Sequence, residues 1–203
     1  MNKLILIPAL LIFGFTAGDE VTADRALEQL RDKLESGVIL HGEMEHLYED
    51  RHTGTVEEHS GQIWIGKDRY KIDVGTQQVL VIDDVSRVYN ETDNRLIVST
   101  YEPEEDDFAP SRLLNLSEDV FSINQERDGE KIKIHLATED PFELLRTVDI
   151  ELNEDLIPQS IRAVDQTDNK YTTTFKEARF EEWDDDVFTL DYPDDAEVVD
   201  LRD

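Results

Sequence analysis

The chain has 203 residues, with 49 Asp and Glu against 20 Lys and Arg, a formal charge of −29, and no Cys. Such a charge excludes a nucleic-acid partner, which needs a cationic footprint, and opposes adhesion to anionic lipid head groups. The missing Cys excludes disulfides, thiolate chemistry, Cys-ligated zinc, iron–sulfur clusters and a lipid anchor attached to Cys. The length fits one domain, and 38% hydrophobic residues suffice for a core. Acid enrichment with Lys scarcer than Arg is the pattern expected of a protein that works in high salt, where a Debye length of about 3 Å at 1 M removes most self-repulsion.

The N-terminus reads as a cleavable secretory signal. Lys3 is its positive start, Leu4–Phe15 an apolar run too short to span a bilayer, and Thr16, Ala17 and Gly18 the small residues before cleavage. Residues 1–18 are therefore expected to be removed, leaving 19–203 as a single exported domain. Val21–Glu35 follows as an amphipathic helix, with Ala23, Ala26, Leu27, Leu30 and Leu34 on one face and Gly37 as its stop.

From there the period is two. Strands are predicted over Val38–Tyr48, Val56–Ile65, Arg69–Val74, Gln77–Ile82, Ser86–Tyr89 and Arg95–Tyr101, joined by short polar turns. An acidic loop at Glu102–Asp107 leads to a short apolar helix over Phe108–Leu116, with Pro110 in its first turn. Strands resume over Val120–Gln125, Lys131–Leu136, Leu144–Leu152, Ile157–Asp165 and Tyr171–Phe180, and a final extended run covers Asp186–Leu201. Ten or eleven strands with one polar and one apolar face imply a mainly β fold, a strongly curved antiparallel sheet or barrel. The two helices are expected to cover or plug an apolar cavity.

Four segments in order carry a family resemblance. Gly61-Gln62-Ile63-Trp64-Ile65-Gly66-Lys67-Asp68-Arg69-Tyr70-Lys71-Ile72 is a Trp strand, a basic turn and the next strand. Gln78–Asp84 with Val88-Tyr89-Asn90 is a second segment, in which Asp84 replaces a turn Gly and Arg87 stands near a usual aromatic. Ile157–Ile161 with Asp165, Gln166 and Tyr171 is the third, and Val187–Pro193 with Val198-Val199-Asp200 the fourth. Together, over about residues 20–201, they resemble the periplasmic outer-membrane lipoprotein carrier (LolA) family.

That resemblance implies an incomplete β-barrel closed by helices around an apolar cavity, and a non-enzymatic carrier without cofactor. It would shuttle acylated lipoproteins from an inner-membrane ABC transporter to an outer-membrane receptor or acceptor membrane, as a monomer. The absence of Cys points to the soluble shuttle rather than a lipid-anchored receptor, and the chain's end at Asp203 to a carrier rather than a two-domain stress sensor. Carriage of a free lipid, or envelope-stress sensing, on the same fold is the alternative. The expected cavity residues are Leu27, Leu30, Leu34, Trp64, Tyr70, Ile72, Val79, Val81, Tyr89, Leu113 and Leu114; which strand face looks inward is open. Lys67 takes the place of a lid-holding Arg.

Other chemistry finds no pattern. His41 and His46 are five apart, where a helical zinc motif needs four, and on a strand they point to opposite faces, which reads as a solvated strand. Glu181–Asp186 is acidic but lacks the loop Gly of a calcium-binding hand.

Overall fold

The computed structural model describes residues 25–102 and 120–202. The signal segment, residues 21–24 of the expected first helix, and the expected helix over Phe108–Leu116 with Leu113 and Leu114 lie outside them.

The chain begins with α1 (Ala26–Glu35) and continues into β1 (Val38–Glu49), β2 (Val56–Ile65), β3 (Arg69–Asp73), β4 (Gln77–Ile82), β5 (Val85–Asn90) and β6 (Arg95–Thr100). Then come β7 (Ser122–Asp128), β8 (Lys131–Ala137), β9 (Leu145–Asn153), β10 (Pro158–Asp165), β11 (Lys170–Glu182) and β12 (Glu197–Asp200). All twelve strands form one sheet in the order β12-β6-β5-β4-β3-β2-β1-β11-β10-β9-β8-β7. Every neighbour is antiparallel except β12, which runs parallel to β6. Among the described residues the order starts at β12 and ends at β7 without pairing them, so the sheet they form is not closed into a barrel.

The curl can be read from α1. Strands β1 and β8 are four places apart in the sheet, about 19 Å if it were flat. A helix about 10 Å wide nevertheless packs against both. A β-bulge helps to bend the two longest strands. The β1–β11 register shifts between His41 and Glu43, and Glu177 opposite adopts φ 50°. Gly42 is required there, because a Cβ on it would stand 2.8 Å from the Cα of Ala178.

Curling separates two apolar faces. The concave face holds the main core, which includes Leu40, Met44, Ile63, Ile65, Tyr70, Ile72, Val81, Ile134, Val148 and Phe175. On the convex face, β1–β6 carry Ile39, Trp64, Leu80, Tyr89, Leu96 and Val98, covered by the segment after β11 through Trp183, Phe188 and Leu190.

That last segment departs from the sequence expectation. Asp186–Leu201 is not one extended run: a 3-10 helix spans Asp185–Val187, and only Glu197–Asp200 pairs as a strand. The reason is packing. The chain must swing Trp183 and Phe188 down onto the convex face, with ring centroids 5.5 Å apart, and Arg69 is held 4.9 and 5.6 Å from the two rings.

Candidate functional site

The concave face is built by alternation. Lys131–Ala137 places Ile132, Ile134 and Leu136 on one side, and Leu145–Asn153 places Val148, Ile150 and Leu152 beside them. Pairing of β1 with β2 sets Leu40 against Ile65, and β2 with β3 sets Ile65 against Tyr70 and Ile63 against Ile72. Apolar side chains thus run from β4 round to β8, broken on β1 and β11 by the buried His46–Thr173 pair.

α1 lies on this field and buries Ala26, Leu27, Leu30 and Leu34. Among the described residues the N-terminus of α1 has no side-chain cap, and the backbone N–H of Leu27 donates to Gln125 Oε1 on β7 at 3.2 Å. Near its other end Lys33 Nζ donates to the Asp155 carbonyl at 3.1 Å and sits 4.1 Å above the Phe180 ring. A ten-residue helix is marginal by itself, so α1 holds its shape through its apolar stripe on the sheet.

The expected cavity residues divide between the two faces. Leu27, Leu30, Leu34, Tyr70, Ile72 and Val81 meet in the concave cluster, and Val79 packs against it. Trp64 and Tyr89 do not join them. Trp64 stands on the convex face, stacked on His41 at 4.8 Å with Lys71 Nζ 5.2 Å from its ring. Tyr89 packs there with Leu96, Val98 and Leu190, 5.7 Å from the Tyr192 ring, and its hydroxyl donates to Asn94 Oδ1. The reason is parity: Trp64 alternates with Ile63 and Ile65, and Tyr89 is paired with Gln78, whose neighbour Val79 faces inward. Lys67 is exposed in the β2–β3 turn.

The sequence reading leaves out the β8 and β9 half of the face, although its signal, the alternation in Lys131–Leu136 and Val148–Leu152, is plain. The His41–His46 stretch, expected to be solvated, is not. The two rings do point to opposite faces, but His41 is half-buried against Trp64, and His46 is 5% exposed with Nδ1 3.0 Å from Thr173 Oγ1. Burial, and then His59 across the β1–β2 pair, pull its pKa from 6.5 down to about 4.

An unfolded chain takes up a proton at His46 near pH 6.5, the folded one only near 4. The stability this site lends is therefore complete above pH 6.5 and lost as pH falls toward 4. His46→Gln keeps a polar partner for Thr173 without titrating. The thermal midpoint of the variant should gain on the wild type as pH falls through that window. A constant difference between the two would refute the assignment.

The open curved sheet with a helix on its concave side defines the fold class. No protein-family model matches the sequence, and no curated protein sequence matches it. Solved structures do. An uncharacterized conserved protein from Thermus thermophilus superposes with a TM-score of 0.56 at 12% identity, over 88% of this chain and 99% of that one. The structure of the Pseudomonas aeruginosa MucA/MucB complex gives 0.51 at 12% identity, over 83% of this chain and 62% of that one. A LolA superfamily protein from Nitrosomonas europaea gives 0.46 at 10% identity, over 84% and 98%. At these identities the first two establish a shared fold.

Proposed function

We propose that the concave face takes up acyl chains beneath α1, and that the chain is a non-enzymatic periplasmic carrier of acylated lipoproteins. The observation that carries this reading is the apolar field of β4 to β8 under one helix that packs on it through Ala26, Leu27, Leu30 and Leu34. Its likeness in fold to a LolA superfamily protein is compatible with it.

The energetics suit a carrier. A triacylated lipoprotein carries three chains of about 15 methylenes, so exposing them costs on the order of 36 kcal/mol at about 0.8 kcal/mol per CH₂. Such a lipid does not cross water unaided. Non-covalent affinity saturates near about 20 kcal/mol, and a carrier must also let go, so a loosely complementary site serves better than a tight one. An acyl chain entering under α1 exchanges helix–sheet apolar contact for contact with itself, a nearly balanced exchange. Uptake from an inner-membrane transporter and release to an outer-membrane acceptor would then supply the direction, with no catalytic residue required.

The test is native mass spectrometry of the protein isolated from its own cells in molar salt. A bound mass equal to an intact acylated lipoprotein is the expected result. Phospholipid or fatty acid alone would make it a free-lipid carrier, and no lipid even after release is blocked would end the acyl-binding reading.

A further inference from the structure

Strand β2 is ten residues long, but β3 pairs only with its second half, Gln62–Ile65. The pairing stops because β3 ends against Gly61, where a Cβ would lie 1.9 Å from the Asp73 carbonyl oxygen. Val56–Ser60 therefore pairs with β1 on one side, and no described strand pairs with it on the other. All five residues are exposed, Val56 to 61%.

Which backbone groups are left over follows from the ladder. Asp50 N–H donates to the Thr55 carbonyl at 2.9 Å, so by antiparallel alternation Glu57, His59 and Gly61 bond toward β1. Gly66 N–H donates to the Arg69 carbonyl at 2.9 Å, so even-numbered residues bond away from β1. Val56, Glu58 and Ser60 thus direct their N–H and C=O groups outward from an exposed edge, the arrangement that accepts an added strand.

We infer that Val56–Ser60 is a docking edge for an extended cationic segment of a partner protein, added as one more strand beside β2. The charge selects the partner. Glu58, with Glu49 and Glu45 on the adjoining positions of β1, lines one face of the edge, and Glu57 the other. Opposing cations are fewer: Lys176 is held by Glu45, and Lys170 lies beyond β1, opposite Glu49. A second copy fits poorly, because antiparallel self-pairing sets Glu58 against Glu58 between two chains of −29 each. A β-forming segment with Lys or Arg opposite Glu58, on the face that Glu45 and Glu49 share, satisfies both the backbone and the carboxylates. The inference stands apart from acyl binding, since it uses neither α1 nor the concave core.

The probe is a heptapeptide alternating Lys with Val, titrated into the full chain at moderate salt. Amide exchange at Val56, Glu58 and Ser60 should slow on binding. Glu58→Pro removes one outward N–H and no bond to β1, so it should weaken binding about tenfold while the thermal midpoint holds. Glu58→Gln keeps the N–H and should weaken it only about two- to threefold, roughly an exposed ion pair. The same peptide N-methylated at alternate residues, offered to the wild type, should lose binding on the methylated edge and needs no variant to fold. Equal binding of the methylated peptide, slowing at other amides, or a wild-type dimer abolished by Glu58→Pro would overturn the inference.

Discussion

Gly61→Ala should lower the thermal midpoint by roughly 6–12 °C, the counterpart of about 3 kcal/mol in a domain of this size. The cause is steric and local. The added methyl would meet three backbone atoms of β3 and its end, the Asp73 oxygen at 1.9 Å, the Asp73 carbonyl carbon at 2.8 Å and the Val74 Cα at 2.9 Å. No flexible side chain is there to give way, so β3 must shift from β2 and carry Ile72 out of register with Ile63. Gly129→Asn is the control. Gly129 has φ 66° and open space around its Cβ position, and Asn tolerates that conformation, so its midpoint should move by no more than a degree or two. Calorimetry of both variants checks the pair. A Gly61→Ala midpoint equal to wild type would mean that β2 and β3 do not approach so closely.

Leu30→Asp should weaken binding of a fluorescent sixteen-carbon acyl probe at least tenfold while leaving the strand signal of circular dichroism intact. Leu30 is 3% exposed at the centre of the α1 stripe. Truncating such a residue costs about 2–5 kcal/mol, and an unpaired carboxylate in its place costs more, so α1 should leave the sheet. The sheet's own ladder does not include α1 and should persist. Without its cover the concave face is open to water on one side, and an acyl chain there loses the contact that α1 provides. Glu35→Ala, on the exposed side of α1, should bind the probe as the wild type does. Unchanged affinity in Leu30→Asp would remove α1 from the site and leave the apolar field as ordinary core.

Much of the sheet is legible in the chain. Val56–Ile65 and Gln77–Ile82 coincide with β2 and β4, and the expected hairpin does join β7 to β8, though it turns at Gly129-Glu130, with Arg127 and Asp128 still paired in β7. Period-two alternation and turn residues are local signals, and antiparallel neighbours joined by short turns convert local signals into pairing. The final run escapes that logic. Val187, Phe188 and Leu190 read as a strand, yet they serve as packing for a face built by residues more than a hundred positions earlier. The twelfth strand is also parallel to its neighbour, a pairing no adjacent turn announces.

The site is legible as a stripe but not as a surface. Leu27, Leu30 and Leu34 share a helix face by spacing alone, and they do lie together on the sheet. Trp64 and Tyr89 are as apolar and as regularly placed as Ile63 and Val88, and nothing in their own strands says which face is inside.

By itself, then, the sequence determined the alternation, the turns, the helix stripe and a strongly acidic composition. Those properties depend on neighbours within a few residues, or on composition alone. Only the tertiary structure decided which alternate set looks inward, that β1 pairs with β11 across the chain, and that β3 stops at Gly61 and leaves an edge of β2 open. Each of these depends on the direction of curl, and curl is a property of the whole sheet: a bulge in β11 opposite Gly42, a helix reaching from β1 to β8, and an aromatic segment closing the convex side.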